Sequence, residues 1–134
     1  MKKKPTVIDL FCGAGGLSKG FSMAGFDVVW ANDIKKVFAK TYELNHQNTE
    51  VVVGDIRNIP SDSIKKSVGG KKIDVIIGGP PCQGFSAAGM RLIDDPRNGL
   101  FKEFVQVVND FKPEWVVMEN VWNLPLINKG KARI

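Results

Sequence analysis

The segment Gly78-Gly79-Pro80-Pro81-Cys82-Gln83-Gly84-Phe85-Ser86 places a thiol directly behind two prolines. Each proline ring fixes its own φ, so Pro80 and Pro81 deliver Cys82 on a stiff piece of chain, while the glycine-containing stretch beyond can swing. A thiol held in one place is a candidate nucleophile, because its thiolate can attack an electrophilic carbon. A lone cysteine is otherwise a small apolar filler. That reading suits Cys12 and suits Cys82 poorly. Glu119-Asn120-Val121 follows 37 residues after Cys82 and closes the apolar run Trp115-Val116-Val117-Met118. A carboxyl at such a strand end is expected to be partly desolvated and able to supply a proton while sulfur attacks. The separation is that of one helix and one strand, which sets both groups at the same edge of neighbouring parallel strands.

A second constellation lies near the start. Asp9-Leu10-Phe11-Cys12-Gly13-Ala14-Gly15-Gly16 reads as a strand running into a glycine turn and a helix. Glycines let backbone turn tightly and approach a ligand closely. A full dinucleotide fingerprint would put another glycine where Ser18 stands. Asp33 lies 24 residues after Asp9, near the ~20-residue spacing at which a carboxylate meets ribose hydroxyls. Gly54-Asp55 ends a third strand and could address a base. The alternatives remain open: a glycine turn can merely pack a helix on a sheet, and Asp33 and Asp55 can be helix caps or turn formers.

These groups need elements to position them. The chain has 134 residues, 43% hydrophobic and 25% charged, with mean hydropathy −0.09. That is one ordinary domain with material for a core; it excludes a disordered tail, a collagen-like chain and a coiled coil. No apolar run approaches the ~18 residues of a membrane span, so no membrane partner is expected. Short continuous apolar runs at 6–10, 28–31, 50–53, 73–77 and 115–118 read as strands covered on both faces. Segments 17–24, 37–44 and 100–111 read as helices, the second with Phe38 and Tyr42 four apart, the third through Phe101, Phe104, Val105 and Val108. The alternation predicts an α/β fold with a doubly wound, mainly parallel sheet, whose ligands sit at the carboxyl edge of its strands. Residues 80–98 carry no clear element and are expected to form a functional loop; 123–134 read as loop or frayed end.

In order and spacing, DLFCGAGGLSKGF from Asp9 to Phe21, Gly54-Asp55-Ile56, GGPPCQGFS from Gly78 to Ser86, DPRNGLF from Asp95 to Phe101 and Glu119-Asn120-Val121 resemble the DNA cytosine-5 methyltransferases. The resemblance implies a Rossmann-like fold that binds S-adenosylmethionine and uses no metal. It places Asp9, Phe11, Gly13, Gly15, Gly16, Leu17, Asp33, Ile34, Asp55, Ile56, Pro80 and Leu100 around the cofactor, with Asp33 on the ribose hydroxyls and Asp55 on the adenine amino group. It implies that Cys82 adds to carbon 6 of a cytosine flipped out of double-stranded DNA. Pro81 stiffens the nucleophile's turn, Glu119 engages ring nitrogen 3 and Asn120 braces the loop. The loop that opens with Gln83, Gly84, Phe85 and Ser86 would close over the flipped base.

The family pattern continues into a Gln-x-Arg-x-Arg segment, a target-recognition domain and a late helix, none of which is found in this sequence. Residues 1–134 are therefore expected to be a partial catalytic and cofactor-binding domain, truncated after about five strands. Such a chain is a fragment or one subunit of a split enzyme, inactive alone and in need of a complementary polypeptide. Three rivals follow. A branch of the family methylates cytosine in tRNA with the same motifs. A non-catalytic S-adenosylmethionine-binding regulatory subunit is opposed by intact Cys82 and Glu119. An adenine methyltransferase would need no thiol. The net charge of +5 also bears on the partner. Setting aside Lys2, Lys3, Lys4, Lys129, Lys131 and Arg133 leaves 13 basic against 14 acidic residues, so charge alone gives weak support for nucleic acid. Two cysteines make no disulfide framework and match no zinc motif, and the basic start is followed by no signal-peptide core; a cytoplasmic, reduced setting is expected.

Overall fold

A computed structural model describes residues 2–81 and 99–120. Five strands form one sheet: β1 (Thr6–Leu10), β2 (Asp27–Asp33), β3 (Glu50–Val53), β4 (Val75–Gly78) and β5 (Trp115–Met118). Their order is β3-β2-β1-β4-β5 and every neighbouring pair is parallel. The chain winds outward from β1 to β3, then crosses back over β1 to lay down β4 and β5. The winding reverses between β1 and β4, the place where open α/β sheets bind ligands. The register aligns Leu10 with Asn32 and Gly78, Asp33 with Val53, and Gly78 with Met118. Phe11, Ile34, Gly54, Gly79 and Glu119 therefore leave the sheet along one edge.

The helices are α1 (Gly16–Met23), α2 (Lys36–Asn45), α3 (Ser61–Ser67) and α4 (Gly99–Phe111), with a short 3-10 turn at Ile56–Asn58. All five residues of β1 are buried, which is why its apolar run shows no alternation. Its side chains still point alternately to the two faces. Ile8 and Leu10 join Trp30, Ile76, Ile64, Phe104 and Val107 in the core on the α3 and α4 face. Val7 joins Val28, Val75 and Ile77 on the other, packed by Leu17, Phe21 and Phe26. Apolar burial of this kind stabilises by roughly 1.5–3 kcal/mol per large side chain.

The sheet, its direction and three helices agree with the sequence reading. Two details differ. The fourth strand starts at Val75, because Asp74 turns its carboxylate to accept the Thr6 N–H, 2.9 Å, and its own N–H to the Thr6 carbonyl, 3.0 Å. Helix α3 was not expected, since Ser61-Asp62-Ser63-Ile64-Lys65-Lys66-Ser67 buries only Ile64. Its legible signals are electrostatic: Asp62 in the first turn and Lys65 and Lys66 in the last suit the helix dipole. The sheet's edges are β3 and β5, and β5 leaves Trp115 71% exposed with Val116 and Val117 also exposed. Among the described residues, no helix is long and apolar enough to cross a membrane.

Candidate active site

A cleft of about 370 Å³ opens along the carboxyl edge of the sheet, within the ~300–1,000 Å³ range of small-molecule sites. Strand β1 delivers Phe11 and Gly13 to it, β2 Asn32, Asp33 and Ile34, β3 Gly54, Asp55, Ile56 and Arg57, and β4 Gly79 and Pro81. Leu100 closes one side from α4, and Lys35 and Phe38 border another. Phe11 takes a left-handed backbone, φ +57°. A non-glycine residue in that region stores about 1–3 kcal/mol of strain, and such strain gathers at ligand sites. Gly13, φ +54°, has open space where a Cβ would stand, so the backbone there is approachable.

Asp33 and Asp55 are oriented by backbone groups and still border the cleft. Asp33 accepts the Gly13 N–H on Oδ2, 2.9 Å, and the Lys35 N–H on Oδ1, 2.8 Å. It thus ties the end of β2 to the glycine turn. Asp55 accepts the Arg57 N–H on Oδ1, 3.0 Å, and the Arg57 guanidinium on both oxygens, with Nη2 2.5 Å from Oδ2. These bonds from the guanidinium, then from the backbone N–H, hold the Asp55 carboxyl below its usual range. The capping and turn roles anticipated for the two acids are present, and each carboxylate keeps acceptor capacity for a ligand.

Asp9, Gly15, Gly16, Leu17 and Pro80 are not among the lining residues. Asp9 is 1% exposed beneath α1 and accepts the Ser18 hydroxyl on Oδ2, 2.5 Å. Gly15 is buried against Tyr42 and His46. Leu17 packs on the Val7, Val28 and Ile77 cluster. Cys12 is buried beside Ala31 and Tyr42, and burial, with Asp9 and Asp33, pushes its thiol up beyond the range in which a thiolate forms. It is filler, as expected. Asn32, Lys35, Phe38 and Arg57 were missed as cleft residues, and Gly54 and Gly79 were named only within their motifs. Asn32 was the most readable of these: a buried amide at a strand end must find partners, and it donates to the carbonyls of Val52, 2.8 Å, and Gly54, 3.0 Å.

Cys82, Gln83, Gly84, Phe85 and Ser86 lie outside the described residues, but the chain up to Pro81 and from Gly99 to Asn120 is described. Glu119 donates its N–H to the Gly78 carbonyl, 2.9 Å. Its Oε2 lies 3.1 Å from the point where a Cβ on Gly79 would stand. Glu119 therefore sits over the backbone three residues before Cys82, and Asn120 follows it. One expectation is corrected: Glu119 is exposed, not partly desolvated. Strand β5 is an edge strand, and among the described residues no further strand covers it. No group of three or more His, Cys, Asp or Glu among the described residues could hold a metal.

The model of the C-5 cytosine-specific DNA methylases matches residues 5–133. The chain belongs to this family. Type II methyltransferase M1.HphI of Haemophilus parahaemolyticus is 47% identical over 131 residues, which is 96% of this chain and 35% of that protein. Type II methyltransferase M.AquIA of Picosynechococcus is 44% identical over 135 residues, 98% of this chain and 54% of that protein. The chain thus spans about a third to a half of the length of these cytosine methylases. A solved structure described as a DNA modification methyltransferase encoded within an E. coli prophage superposes with TM-score 0.79 at 38% identity, covering 96% of this chain and 36% of that one. The S. pombe Dnmt2 methyltransferase shares the fold, with TM-score 0.73 at 23% identity over 97% of this chain and 38% of that one. Of the motifs read in the sequence, the described parts that reach the carboxyl edge of this Rossmann-like sheet are Phe11 and Gly13, Gly54 to Ile56, Gly79, Pro81, Leu100 and Glu119.

Proposed function

We propose that the chain is the cofactor-binding and catalytic part of a DNA cytosine-5 methyltransferase, completed by a polypeptide that carries target recognition. The observation that supports this best is Glu119 over Gly79, three residues before Cys82 in the chain, at the same edge as a cleft bordered by two oriented acids. The cleft suits S-adenosylmethionine: it offers carboxylates for ribose hydroxyls (Asp33) and an adenine amino group (Asp55), apolar walls (Phe11, Ile34, Ile56, Leu100) and an approachable backbone at Gly13. When bound there, the cofactor supplies the methyl group.

Carbon 5 of cytosine is a poor nucleophile, so the chain must activate the ring. The base is taken out of the duplex to be reached. The Cys82 thiolate bonds to carbon 6, and Glu119 holds a proton at ring nitrogen 3, which draws the added charge onto the ring and makes carbon 5 nucleophilic. Once carbon 5 is methylated, a base removes its proton, the carbon–sulfur bond breaks and the thiolate returns. The test is a trap. Fluorine at carbon 5 cannot leave as a proton, so DNA containing 5-fluorocytosine should hold the enzyme as a stable adduct when cofactor and a polypeptide with the C-terminal part of the family are supplied. Cys82→Ser should abolish the adduct and Cys12→Ser should leave it. An adduct that survives Cys82→Ser sinks the assignment.

A further inference from the structure

We propose that Asp9, Ser18, Tyr42 and His46 are positioning residues that fix the glycine turn at 13–16 from behind, in the shape that receives the cofactor. The inference deepens the proposed function and rests on it for the ligand's identity. None of the four lines the cleft. Tyr42 on α2 donates its hydroxyl to Ser18 Oγ, 2.6 Å, and Ser18 in the first turn of α1 donates to Asp9 Oδ2 on β1, 2.5 Å. Two hydrogen bonds thus join three elements that meet under the turn. His46, just beyond α2, reaches the Gly15 carbonyl with Nε2, 3.1 Å, and its ring lies 4.2 Å from that of Tyr42. Gly15, φ +95°, rests directly on these rings; a Cβ there would stand 2.7 Å from Tyr42 Cδ2 and closer still to His46 Nε2.

Filling space does not explain this set. Asp9, Ser18 and Tyr42 are at most 1% exposed and His46 is 9% exposed. A core that needed only volume would use leucine and phenylalanine, since buried polar groups cost stability unless they are bonded. Here the bonds lead to the turn. With Asp9 ionised the chain of hydroxyls runs Tyr42 to Ser18 to Asp9. Burial pushes the Asp9 carboxyl up to about 7, against the Ser18 hydrogen bond and aided by the Asp33 charge. The other titratable groups around it are the Cys12 thiol and the Tyr42 phenol; Lys19 on α1 acts on His46, whose imidazole burial holds below its usual range.

Two readouts test the support in the full 134-residue chain. The first is S-adenosylmethionine affinity by calorimetry. His46→Ala and Tyr42→Phe should each weaken it about 5- to 10-fold, the size of one lost hydrogen bond. His46→Gln, whose amide can still donate to the Gly15 carbonyl, should restore most of the loss. The second needs no ligand. The Gly15 and Gly16 amide resonances should titrate near pH 7 in the wild type and stay fixed in Asp9→Asn. Affinities all within twofold of wild type would overturn the positioning role while leaving the cofactor reading intact. Resonances that still titrate in Asp9→Asn would transfer the effect to His46 and overturn the part given to Asp9. A wild-type chain that binds no cofactor would count against the proposed function, and the resonances would then decide the support by themselves: no titration, no support.

Discussion

Asp33 and Asp55 each use part of their acceptor capacity on backbone N–H groups, Asp33 on Gly13 and Lys35 and Asp55 on Arg57, and both border the cleft. Under the proposed function the remaining capacity serves the cofactor. Removing either side chain should therefore weaken S-adenosylmethionine binding by about 1–3 kcal/mol, the cost of an orphaned polar contact. Equilibrium dialysis of Asp33→Ala and Asp55→Ala checks this, and unchanged affinity in both would reduce the acids to caps. Asp9 behaves differently, because it is buried. Its carboxyl titrates near 7 in the native chain against an ordinary 3.8, so the native state holds the proton more tightly than the unfolded one. That contribution to stability is complete below about pH 4 and is lost as pH rises through about 7. Asp9→Asn removes the dependence. Relative to wild type, the variant should gain on the order of 2–4 kcal/mol between pH 4 and pH 8. Urea unfolding at those two pH values measures it, and a parallel pH profile for the two proteins would show that Asp9 is not the titrating group.

At the scale of elements, Gly78 ends β4 and Gly79 follows it, with opposite consequences. A Cβ on Gly78 would press into the Leu10 carbonyl and stand 3.0 Å from Phe104 Cε2. Strand backbone and a buried ring cannot yield, so Gly78→Ala should cost about 2 kcal/mol or more. A Cβ on Gly79 would meet only the end of the Glu119 side chain, at 3.1 Å. That carboxylate can move by a few tenths of an ångström, so Gly79→Ala should stay within ~1 kcal/mol of wild-type stability. It should nevertheless slow adduct formation with 5-fluorocytosine DNA, because Glu119 is displaced. Urea melts and the trap together separate the two, and equal stability losses would contradict the contact geometry. The same strand explains what was readable. Apolar runs and glycine turns revealed the five strands and their direction, because a buried parallel sheet admits little else. The spacing of Asp33 and of Glu119 from their partners followed from that topology. Arg57, Lys35 and Phe38 were not readable, since their place in the cleft depends on how the turns after β2 and β3 fold. Tyr42 reads as a position of the second helix, four residues from Phe38, and His46 lies beyond that helix; the partner of His46 is a backbone carbonyl 31 residues away, which has no side-chain signature.

For the whole molecule, two quantities argue that the described sheet needs a companion. The first is apolar exposure. Strand β5 leaves Trp115, Val116 and Val117 exposed at a sheet edge, where no further strand pairs with it among the described residues, and such edges invite another strand or chain. The second is charge. Affinity for DNA draws heavily on cationic contacts to phosphate, and sequence reading needs side chains that reach base edges. Away from six basic residues near its two ends, the chain carries 13 basic against 14 acidic groups, and it spans 35% of M1.HphI and 54% of M.AquIA. The chain alone should therefore self-associate and should transfer no methyl group to DNA at a specific site. Sedimentation should show association that Trp115→Ser with Val117→Lys relieves, because a lysine that association would bury opposes it. A tritiated-methyl assay on unmethylated DNA should give background counts for the purified chain and sequence-specific incorporation after the complementary polypeptide is added. Robust, site-specific transfer by the chain alone would mean that its own surface supplies the phosphate contacts and base readout assigned here to a partner.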